Sequence, residues 1–366
     1  MQPERAIGLM SGTSIDGVDA VLARFDCGRF LAIEATHTRR YPARLRERLL
    51  AVSTQARPLT LADFATLDAA VGEVFTQTAV ELIAASGLAP RAIRAIGSHG
   101  QTIFHDPLQA HNSLQIGDAN RIAAGTGICT VADFRRRDLA AGGHGAPLVP
   151  AFHHAVFARS QETLCVANIG GIANVTRLDG AELAGVSGFD TGPGNGLMDE
   201  WIKHRLGRDY DADGAWAASG QVHPELLQAL LGDPWFTQSP PKSTGRDAFN
   251  LAWVRRRFPT LDALLPATVQ RTLCELTALS LAEAARGCTR LLVCGGGAHN
   301  GFLLSRLRAL FGKPVESTAA CGLDPQWVEA AAFAWLALRR LDHLPGNVPA
   351  VTGARHPVIL GAIYAP

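Results

Sequence analysis

A short polar turn, Gly12-Thr13-Ser14-Ile15-Asp16-Gly17, lies between two apolar segments near the N-terminus. Its glycines let backbone N–H groups approach an anion, and its hydroxyls can donate to the oxygens of a polyphosphate. Asp16 and Asp19 can bind the water shell of a magnesium ion. The alternative is a plain hairpin, but a hairpin loop needs only about two to five residues and one glycine. The composition of the turn therefore favours phosphate binding.

Asp190 is the second candidate, in the segment Phe189-Asp190-Thr191-Gly192-Pro193-Gly194-Asn195. The pattern predicts a short strand before Asp190 and a helix, Leu197 to His204, after it. A carboxylate at a strand end beside a glycine-rich turn is held rigidly enough to act as a general base. Helix capping or an Asx turn would explain the same aspartate equally well. The residues alone leave both interpretations open.

Two further glycine turns have the composition of phosphate or nucleotide sites. Asn168-Ile169-Gly170-Gly171-Ile172-Ala173-Asn174 has the same two interpretations as the first turn, with a weaker signal because it carries no acid. Gly295 to Asn300 follows a predicted strand, Arg290 to Cys294, and precedes a predicted helix, Leu303 to Phe311. A strand, a glycine turn and a helix together are typical of nucleotide binding. The sequence has neither a GxxxxGK[ST] loop nor a GxSxG elbow, which argues against P-loop enzymes and α/β-hydrolases.

Hydrophobic periodicity predicts the elements that must position these turns. The predicted strands are Ala6 to Met10, Ala20 to Arg24, Ala95 to Gly97, Ile128 to Ala132, Thr163 to Ile169 and Ala173 to Leu178. The predicted helices are Leu45 to Val52, Leu61 to Ser86, Asn120 to Gly125 and Pro325 to Leu341. The strand–turn–strand pattern near the N-terminus recurs after Thr163, so the sequence predicts an α/β protein with two similar lobes.

Length and charge narrow the functional class. The chain has 366 residues, 47% of them hydrophobic, which exceeds the roughly 250 to 300 residues that one core serves. Its net charge of +1 argues against nucleic acid and anionic membranes as partners. The apolar stretches are too short to span a membrane, and no signal-peptide core begins the chain, so we expect a cytoplasmic protein. The seven cysteines are scattered without a CxxC pair, which supports neither a disulfide framework nor a zinc site.

These motifs resemble those of the anhydro-N-acetylmuramic acid kinase family, and the resemblance covers essentially the whole chain. The matching segments are Ile7 to Asp19, Ser98 to Thr102, Asp133 to Arg135, Gly142 to Pro150, Asn168 to Asn174, Phe189 to Asn195, Ser243 to Asp247, Cys294 to Asn300 and Glu329 to Ala334. Two residues depart from the family pattern, Gly196 in place of a larger apolar residue and Asp247 in place of Glu. Neither departure touches a catalytic group.

The resemblance implies the two-lobed α/β fold shared by sugar kinases, actin and Hsp70, which is a duplicated ribonuclease-H-like fold with ATP in the cleft between lobes. We expect an N-terminal lobe of residues 1–135 with about 350–366, and a C-terminal lobe of residues 136–349. The implied reaction converts 1,6-anhydro-N-acetylmuramic acid, water and ATP to N-acetylmuramic acid 6-phosphate, coupling hydrolysis of the anhydro bridge to phosphorylation during peptidoglycan recycling. ATP and Mg²⁺ are the implied cofactors.

The family's site residues transfer to this sequence position by position. Asp190 matches the catalytic base. The implied ATP contacts are Gly12, Thr13, Ser14, Ile15, Asp16, Gly17, Val18 and Asp19 in the first phosphate turn, Asn168, Gly170 and Gly171 in the second, and Gly295, Gly296 and Asn300 beside the nucleoside. Asp16 is expected to reach Mg²⁺ through water. Gln101 and Glu329 match positions that face the sugar, and Arg135 is expected to pair with its lactyl carboxylate.

Two other functional classes remain as alternatives. One is an ATPase of the same fold that uses hydrolysis to switch conformation, and the other is a catalytically silent sugar-binding homologue. An acid at position 190 argues against the silent homologue, whereas dependence of ATP turnover on an anhydro sugar would argue against the ATPase. The sequence leaves the oligomeric state open, a homodimer included.

Overall fold

The computed structural model describes residues 3–53, 59–240, 242–245 and 247–366. The chain divides into two compact units, one of Met1–Val156 with Trp327–Pro366 and the other of Phe157–Gln326. Arg246, part of the Ser243 to Asp247 motif, lies outside the described residues. No helix in the described part of the chain is long and apolar enough to cross a membrane.

Both units contain strands and helices. The strands are β1 (Glu4–Ser11), β2 (Gly17–Asp26), β3 (Arg29–Arg40), β4 (Ala95–Asp106), β5 (Asn112–Ile116), β6 (Thr130–Ala132), β7 (Thr163–Ile169), β8 (Ile172–Asp179), β9 (Val186–Pro193), β10 (Arg290–Cys294), β11 (Val315–Ser317) and β12 (Ala362–Tyr364). The α-helices are α1 (Ala43–Ser53), α2 (Leu61–Ser86), α3 (Ala119–Thr126), α4 (Arg135–Ala140), α5 (Pro150–Phe157), α6 (Gly196–Leu206), α7 (Ala215–Ala218), α8 (Pro224–Leu231), α9 (Leu251–Arg257), α10 (Pro266–Ala284), α11 (Gly301–Phe311), α12 (Val328–Leu341) and α13 (Pro349–Thr352).

The two sheets repeat one strand order. The sheet of the first unit runs β12-β6-β4-β1-β2-β3, with β5 paired to β4, and the sheet of the second runs β11-β10-β7-β8-β9. In the first, β1, β2 and β3 are antiparallel neighbours, whereas β4 is parallel to β1 and β6 is parallel to β4. In the second, β7, β8 and β9 are antiparallel and β10 and β11 continue in parallel. The repeated topology confirms the duplication predicted from the two strand–turn–strand patterns.

Each sheet is covered by helices with apolar faces. In the first unit, Leu67, Val71, Phe75 and Leu82 of α2 follow one another at spacings of four, four and seven residues and are buried in a core with β1, β2 and β4. In the second unit, α6 and α10 are buried against one face of β7 and β8. The bounds of α2, β7 and β10 coincide with the predicted ones because each is a continuous apolar or periodic run.

Helix α12 belongs to the first unit, whereas the lobe boundaries expected from the sequence placed it in the C-terminal lobe. A Cβ added to Gly8 would lie 1.7 Å from the Ala330 carbonyl oxygen, and one added to Gly97 would lie 2.0 Å from that of Phe333. Glycine in β1 and β4 therefore lets the backbone of α12 pack directly on the sheet. The first unit thus contains residues 136–156 and 327–349, which the sequence analysis placed in the C-terminal lobe.

A buried carboxylate also holds the C-terminal segment on the first unit. Asp138 is fully buried, and its Oδ1 accepts hydrogen bonds from Asn347 Nδ2 at 2.6 Å and Thr352 Oγ1 at 2.8 Å. Its Oδ2 accepts the backbone N–H of Gly145 at 2.8 Å. Because breaking such a network would leave a buried charge unpaired, the segment around Asn347 is tied to α4 rather than to the second unit.

Candidate active site

The polar turn after β1 is anchored from inside. Ile15 has φ 54° and is 1% exposed, and its N–H donates to the Gly12 carbonyl at 3.2 Å. A β-branched residue seldom adopts a positive φ, so burial of the Ile15 side chain compensates for backbone strain. The anchor leaves Thr13, Ser14 and Asp16 exposed. Their hydroxyl and carboxylate groups are thus open to a ligand.

Gly12 and Gly17 lie in different surroundings. No atom lies within 4 Å of a Cβ added to Gly12, whereas a Cβ on Gly17 would lie 2.4 Å from the Arg39 carbonyl oxygen. Close packing against β3 therefore explains Gly17 without a ligand. The space beside Gly12 is open, as a backbone that approaches a phosphate requires.

Gln101 braces this turn from the neighbouring strand β4. Its side chain is fully buried, and Nε2 donates to the carbonyls of Gly12 at 3.3 Å and Thr102 at 3.1 Å. Its Oε1 lies 2.7 Å from the hydroxyl of Ser11, which in turn lies 3.1 Å from the hydroxyl of Tyr41. Gln101 is thus placed against the turn, and its contact with a sugar stays a prediction.

The two acids of the turn differ in their partners. Asp16 is exposed and forms an ion pair with Arg46 of α1, with 3.0 Å between Nη2 and Oδ1. Asp19 accepts a hydrogen bond from the Thr38 hydroxyl at 2.6 Å, and burial raises its pKa. Among the described residues, no group of three or more His, Cys, Asp or Glu side chains is placed to bind a metal ion. The water-mediated contact of Asp16 with a magnesium ion stays a prediction.

Arg135, at the start of α4, is held by neutral groups and faces two acids. Its Nη2 lies 2.8 Å from His99 Nε2, and its Nη1 donates to the Gly145 carbonyl at 2.8 Å. Burial and the charge of Arg135 lower the pKa of His99, so a neutral imidazole accepts this hydrogen bond. Burial lowers the pKa of Arg135 to about 10, and the charges of Glu329 and Asp138 act in the opposite direction. The structure therefore brings Arg135 and Glu329, two of the predicted sugar contacts, into one electrostatic neighbourhood.

In the second unit, four polar or thiol residues form a row across neighbouring strands. Cys294 of β10 pairs with Asn168 of β7, Asn168 with Asn174 of β8, and Asn174 with Asp190 of β9. Directly paired residues project from the same face of a sheet. Asp190 thus lies inside β9, and the prediction that a strand ends before it was wrong. The strand continues to Pro193 because a bulge at Thr191 lets it keep pairing with β8.

The Asp190 carboxylate is fixed by a loop distant in sequence. Its Oδ2 accepts hydrogen bonds from Thr244 N at 2.8 Å and Ser243 Oγ at 2.9 Å, and its backbone N–H donates to the Lys242 carbonyl at 3.1 Å. Burial raises the pKa of Asp190 to about 6, although both hydrogen bonds act to lower it. Asn195, not Asp190, is the N-cap residue of α6, so the helix-capping interpretation was wrong.

The second glycine turn is braced by backbone N–H groups of residues 194–196 and by Asn195 Nδ2, which donates to the Ile169 carbonyl at 3.1 Å. Asn195 N–H donates to the Gly170 carbonyl at 2.7 Å, and the N–H groups of Gly194 and Gly196 each lie 3.0 Å from the Gly171 carbonyl oxygen. A Cβ on Gly194 would lie 2.3 Å from the Gly170 oxygen. Glycine at position 194 is therefore required for the turn to pack on the end of β9.

The loop after β10 lies beside this turn. Gly295 has φ +75°, and a Cβ there would lie 2.3 Å from Asn168 Oδ1. A Cβ on Gly296 would lie 3.5 Å from Asn195 Nδ2. Asn300 is the N-cap of α11, with its Oδ1 accepting the Leu303 N–H at 3.0 Å. The structure thus brings Asn168 and both glycines together, and gives the side-chain oxygen of Asn300 a capping role.

Sequence reasoning recognised the Ser243 to Asp247 motif but assigned it no role. Lys242, just before it, donates to the carbonyls of Trp235 and Phe236 at 3.3 Å, and its Nζ lies 4.3 Å from the centroid of the Trp235 ring. These contacts hold the segment against Trp235 and Phe236, while the Lys242 carbonyl accepts the Asp190 N–H of β9. The Ser-Thr pair in this family motif was the one sequence signal for a role near the base. Because Ser243 and Asp190 lie 53 residues apart in the chain, a local pattern could not show that they form a hydrogen bond.

Comparison with known proteins agrees with this architecture. The family profile of anhydro-N-acetylmuramic acid kinase matches residues 4–366. The anhydro-N-acetylmuramic acid kinases of two Xanthomonas campestris pv. campestris strains are 53% identical over 369 aligned residues, covering 98% of this chain and 96% of theirs. Component A of (R)-2-hydroxyglutaryl-CoA dehydratase from Acidaminococcus fermentans aligns with a TM-score of 0.50 at 10% identity, covering 93% of this chain and 99% of that one. With the duplicated sheet order, these matches confirm the fold class predicted from sequence, that of sugar kinases, actin and Hsp70.

Proposed function

Because this chain belongs to the anhydro-N-acetylmuramic acid kinase family and phosphorylates 1,6-anhydro-N-acetylmuramic acid in peptidoglycan recycling, we propose that Asp190 is the base of its reaction. As a kinase it takes the phosphoryl group from ATP. The observation that supports the role of Asp190 is its carboxylate: Oδ2 receives two hydrogen bonds, whereas Oδ1 receives none from the described residues. An oriented carboxylate with one free oxygen is suited to accept a proton.

The coupled reaction needs only one base. Asp190 Oδ1 takes a proton from water as the water oxygen bonds to the anomeric carbon, and the bond from that carbon to oxygen 6 breaks with its electron pair on oxygen 6. Oxygen 6 then attacks the γ-phosphorus, the bond to the β,γ-bridging oxygen breaks, and ADP leaves. Asp190 returns its proton to solvent. A pKa of about 6 leaves most of the carboxylate ionised at neutral pH while keeping its basicity near that of the medium.

The two glycine turns supply the ATP contacts in this proposal. In the first, the open space at Gly12 and the exposed hydroxyls of Thr13 and Ser14 suit phosphate oxygens. In the second, Gly170 has no atom within 3.4 Å of an added Cβ, so backbone can approach a ligand there too. Gly295 and Gly296 would border the nucleoside.

The finer assignments follow from the same surroundings. Mg²⁺, which would neutralise charge on the phosphates, would be held by ATP oxygens and water, with Asp16 in the outer sphere. Arg135 would bind the lactyl carboxylate of the sugar. Glu329, whose charge acts on Arg135, would help to orient the Arg135 side chain. We place the enzyme in the cytoplasm, where ATP is available.

Reaction in ¹⁸O-water tests the coupled mechanism. Label is expected on the anomeric hydroxyl of the sugar phosphate, with the phosphate and oxygen 6 unlabelled, because the bridge oxygen comes from the sugar and the phosphoryl group from ATP. Early time points and unlabelled product incubated in the same water correct for anomeric exchange. Label in released phosphate without sugar phosphate would replace this mechanism with that of a switch-type ATPase. No turnover of either kind would indicate a silent sugar-binding protein.

A further inference from the structure

Ser243 is exposed at the edge of the second sheet, and its hydroxyl lies 2.9 Å from Asp190 Oδ2. We infer that Ser243 is a positioning residue for the base: together with the Thr244 N–H, it holds Oδ2 and leaves Oδ1 as the oxygen that takes the proton. The inference rests on the proposed role of Asp190. It adds a residue to the reaction that no motif assigned.

The segment that carries Ser243 is itself anchored. Asp190 N–H donates to the Lys242 carbonyl, so residue 242 pairs with the free edge of β9. The Lys242 ammonium group donates to two carbonyls and lies over the Trp235 ring. Ser243 is therefore delivered to Asp190 by a backbone that is held at the residue before it and, through Thr244 N, at the residue after it.

Two donors on one oxygen make the two carboxylate oxygens inequivalent. A carboxylate otherwise turns readily about its terminal torsion, which is broad and roughly two-fold. A hydrogen bond to the ionised form also stabilises that form and lowers the pKa. Burial raises the pKa of Asp190 to about 6, and the Ser243 hydrogen bond acts against burial, so it keeps the base ionised at lower pH than burial alone would allow.

Charged groups contribute little to the pKa of Asp190. From β8, the residue opposite Asp190 is Asn174, which is neutral. The segment that contacts Asp190 carries two charged groups among the described residues: Lys242, whose ammonium donates to the carbonyls of Trp235 and Phe236, and Asp247, whose Oδ1 lies 2.3 Å from a Cβ added to Gly245. Helix α10 packs on the opposite face of the sheet, where Arg271 and Glu275 pair at 2.6 Å. Burial and the two hydrogen bonds are therefore the effects that an experiment at Ser243 would separate.

The experiment compares pH–rate profiles of the full-length enzyme carrying Ser243→Ala, Ser243→Thr and, as a matched control, Ser239→Ala, an exposed serine of the same loop. In Ser243→Ala the midpoint of the acidic limb of kcat is expected to rise by about one pH unit, which lowers kcat about fivefold at pH 6 and less than twofold at pH 8.5. The KM for ATP is expected to stay unchanged. Ser243→Thr, which keeps the hydroxyl, is expected to restore the wild-type midpoint, and Ser239→Ala to match wild type.

A titration by NMR gives the same answer without turnover. With carboxyl-¹³C aspartate, the signal absent from Asp190→Asn identifies Asp190, and its midpoint is expected to rise in Ser243→Ala. A profile and a titration that superimpose on wild type, beside an inactive Asp190→Asn, would overturn the role of Ser243 and leave that of Asp190. An active Asp190→Asn would overturn the base assignment, and the inference with it.

Discussion

The turn after β1 and the turn after β7 occupy the same place in two sheets of the same strand order, yet they are held in different ways. The Gly12 carbonyl is braced by a side chain, Gln101 Nε2, from the neighbouring strand. The carbonyls of Gly170 and Gly171 are braced by three backbone N–H groups of residues 194–196. One topology thus supports a turn with exposed hydroxyls and a turn locked to the sheet.

The carboxylates beside the two turns also differ. Asp19 in β2 receives one hydroxyl, that of Thr38, whereas Asp190 in β9 receives a hydroxyl and a backbone N–H from a segment outside the sheet. Burial raises the pKa of both. Asp19 lies on the second antiparallel strand of its sheet and Asp190 on the third of its own, so the duplicated topology does not by itself produce the candidate base. The difference teaches that the segment carrying Ser243 and Thr244, which lies outside the sheet, gives Asp190 its surroundings.

The largest expected effect comes from removing the base. Asp190→Asn is expected to lower kcat by about 10² to 10⁴ while preserving nucleotide binding, because the amide keeps the shape and loses the proton acceptor. The matched control is Asp179→Asn, an exposed acid of the same sheet that also receives a threonine hydroxyl, at 2.8 Å. Steady-state kinetics and calorimetry measure both variants. More than about a tenth of wild-type kcat in Asp190→Asn would remove it from this role.

Next comes the open first turn. Gly12→Val is expected to weaken ATP binding about ten- to a hundredfold and to leave sugar binding and folding nearly unchanged, because no protein atom lies within 4 Å of an added Cβ, whereas the branched side chain fills the space beside the backbone. Separate calorimetric titrations with ATP and sugar measure this. Unchanged ATP affinity would place the nucleotide elsewhere.

A smaller effect concerns pH. Asp190 must be ionised to act as a base, and its pKa is raised from 3.8 to about 6, so kcat is expected to fall about tenfold for each pH unit below 6 and to level off above 7. A profile measured between pH 5 and 8 with saturating substrates checks this. An acidic limb near pH 4 would mean that the carboxylate is more hydrated during turnover than the structure shows.

The smallest effect on catalysis is expected at the turn after β7, which is bonded to residues 194–196. There the expected change is in the stability of the second unit. Gly194→Ala places a Cβ against the Gly170 oxygen and is expected to destabilise the second unit by about 1 to 3 kcal/mol, lowering the apparent Tm by at least about 2 °C. Gly12→Ala, with open space around it, should change the Tm by less than about 1 °C. Calorimetric scans of the two variants compare them. Equal Tm values would show that the two turns are braced alike.

Local pattern was enough to predict several elements of this chain. The α2, β7 and β10 segments had the predicted bounds because their periodic or continuous apolar residues depend only on neighbours in sequence. Edge strands were missed: β3 mixes exposed and half-buried residues over its whole length, and β11 and β12 have three residues each. Such strands are defined by the partner they pair with, which a local pattern does not contain.

The sequence by itself therefore determined the α/β class, the duplication, the family and the residues most suited to chemistry, since residue type and spacing are local properties. Tertiary structure alone decided that Asp190 lies within β9, that Ser243 holds its carboxylate, and that α12 returns to the first sheet over Gly8 and Gly97. These contacts join residues far apart in the chain. The surroundings that raise the pKa of Asp190 are produced by that packing and by the water it excludes.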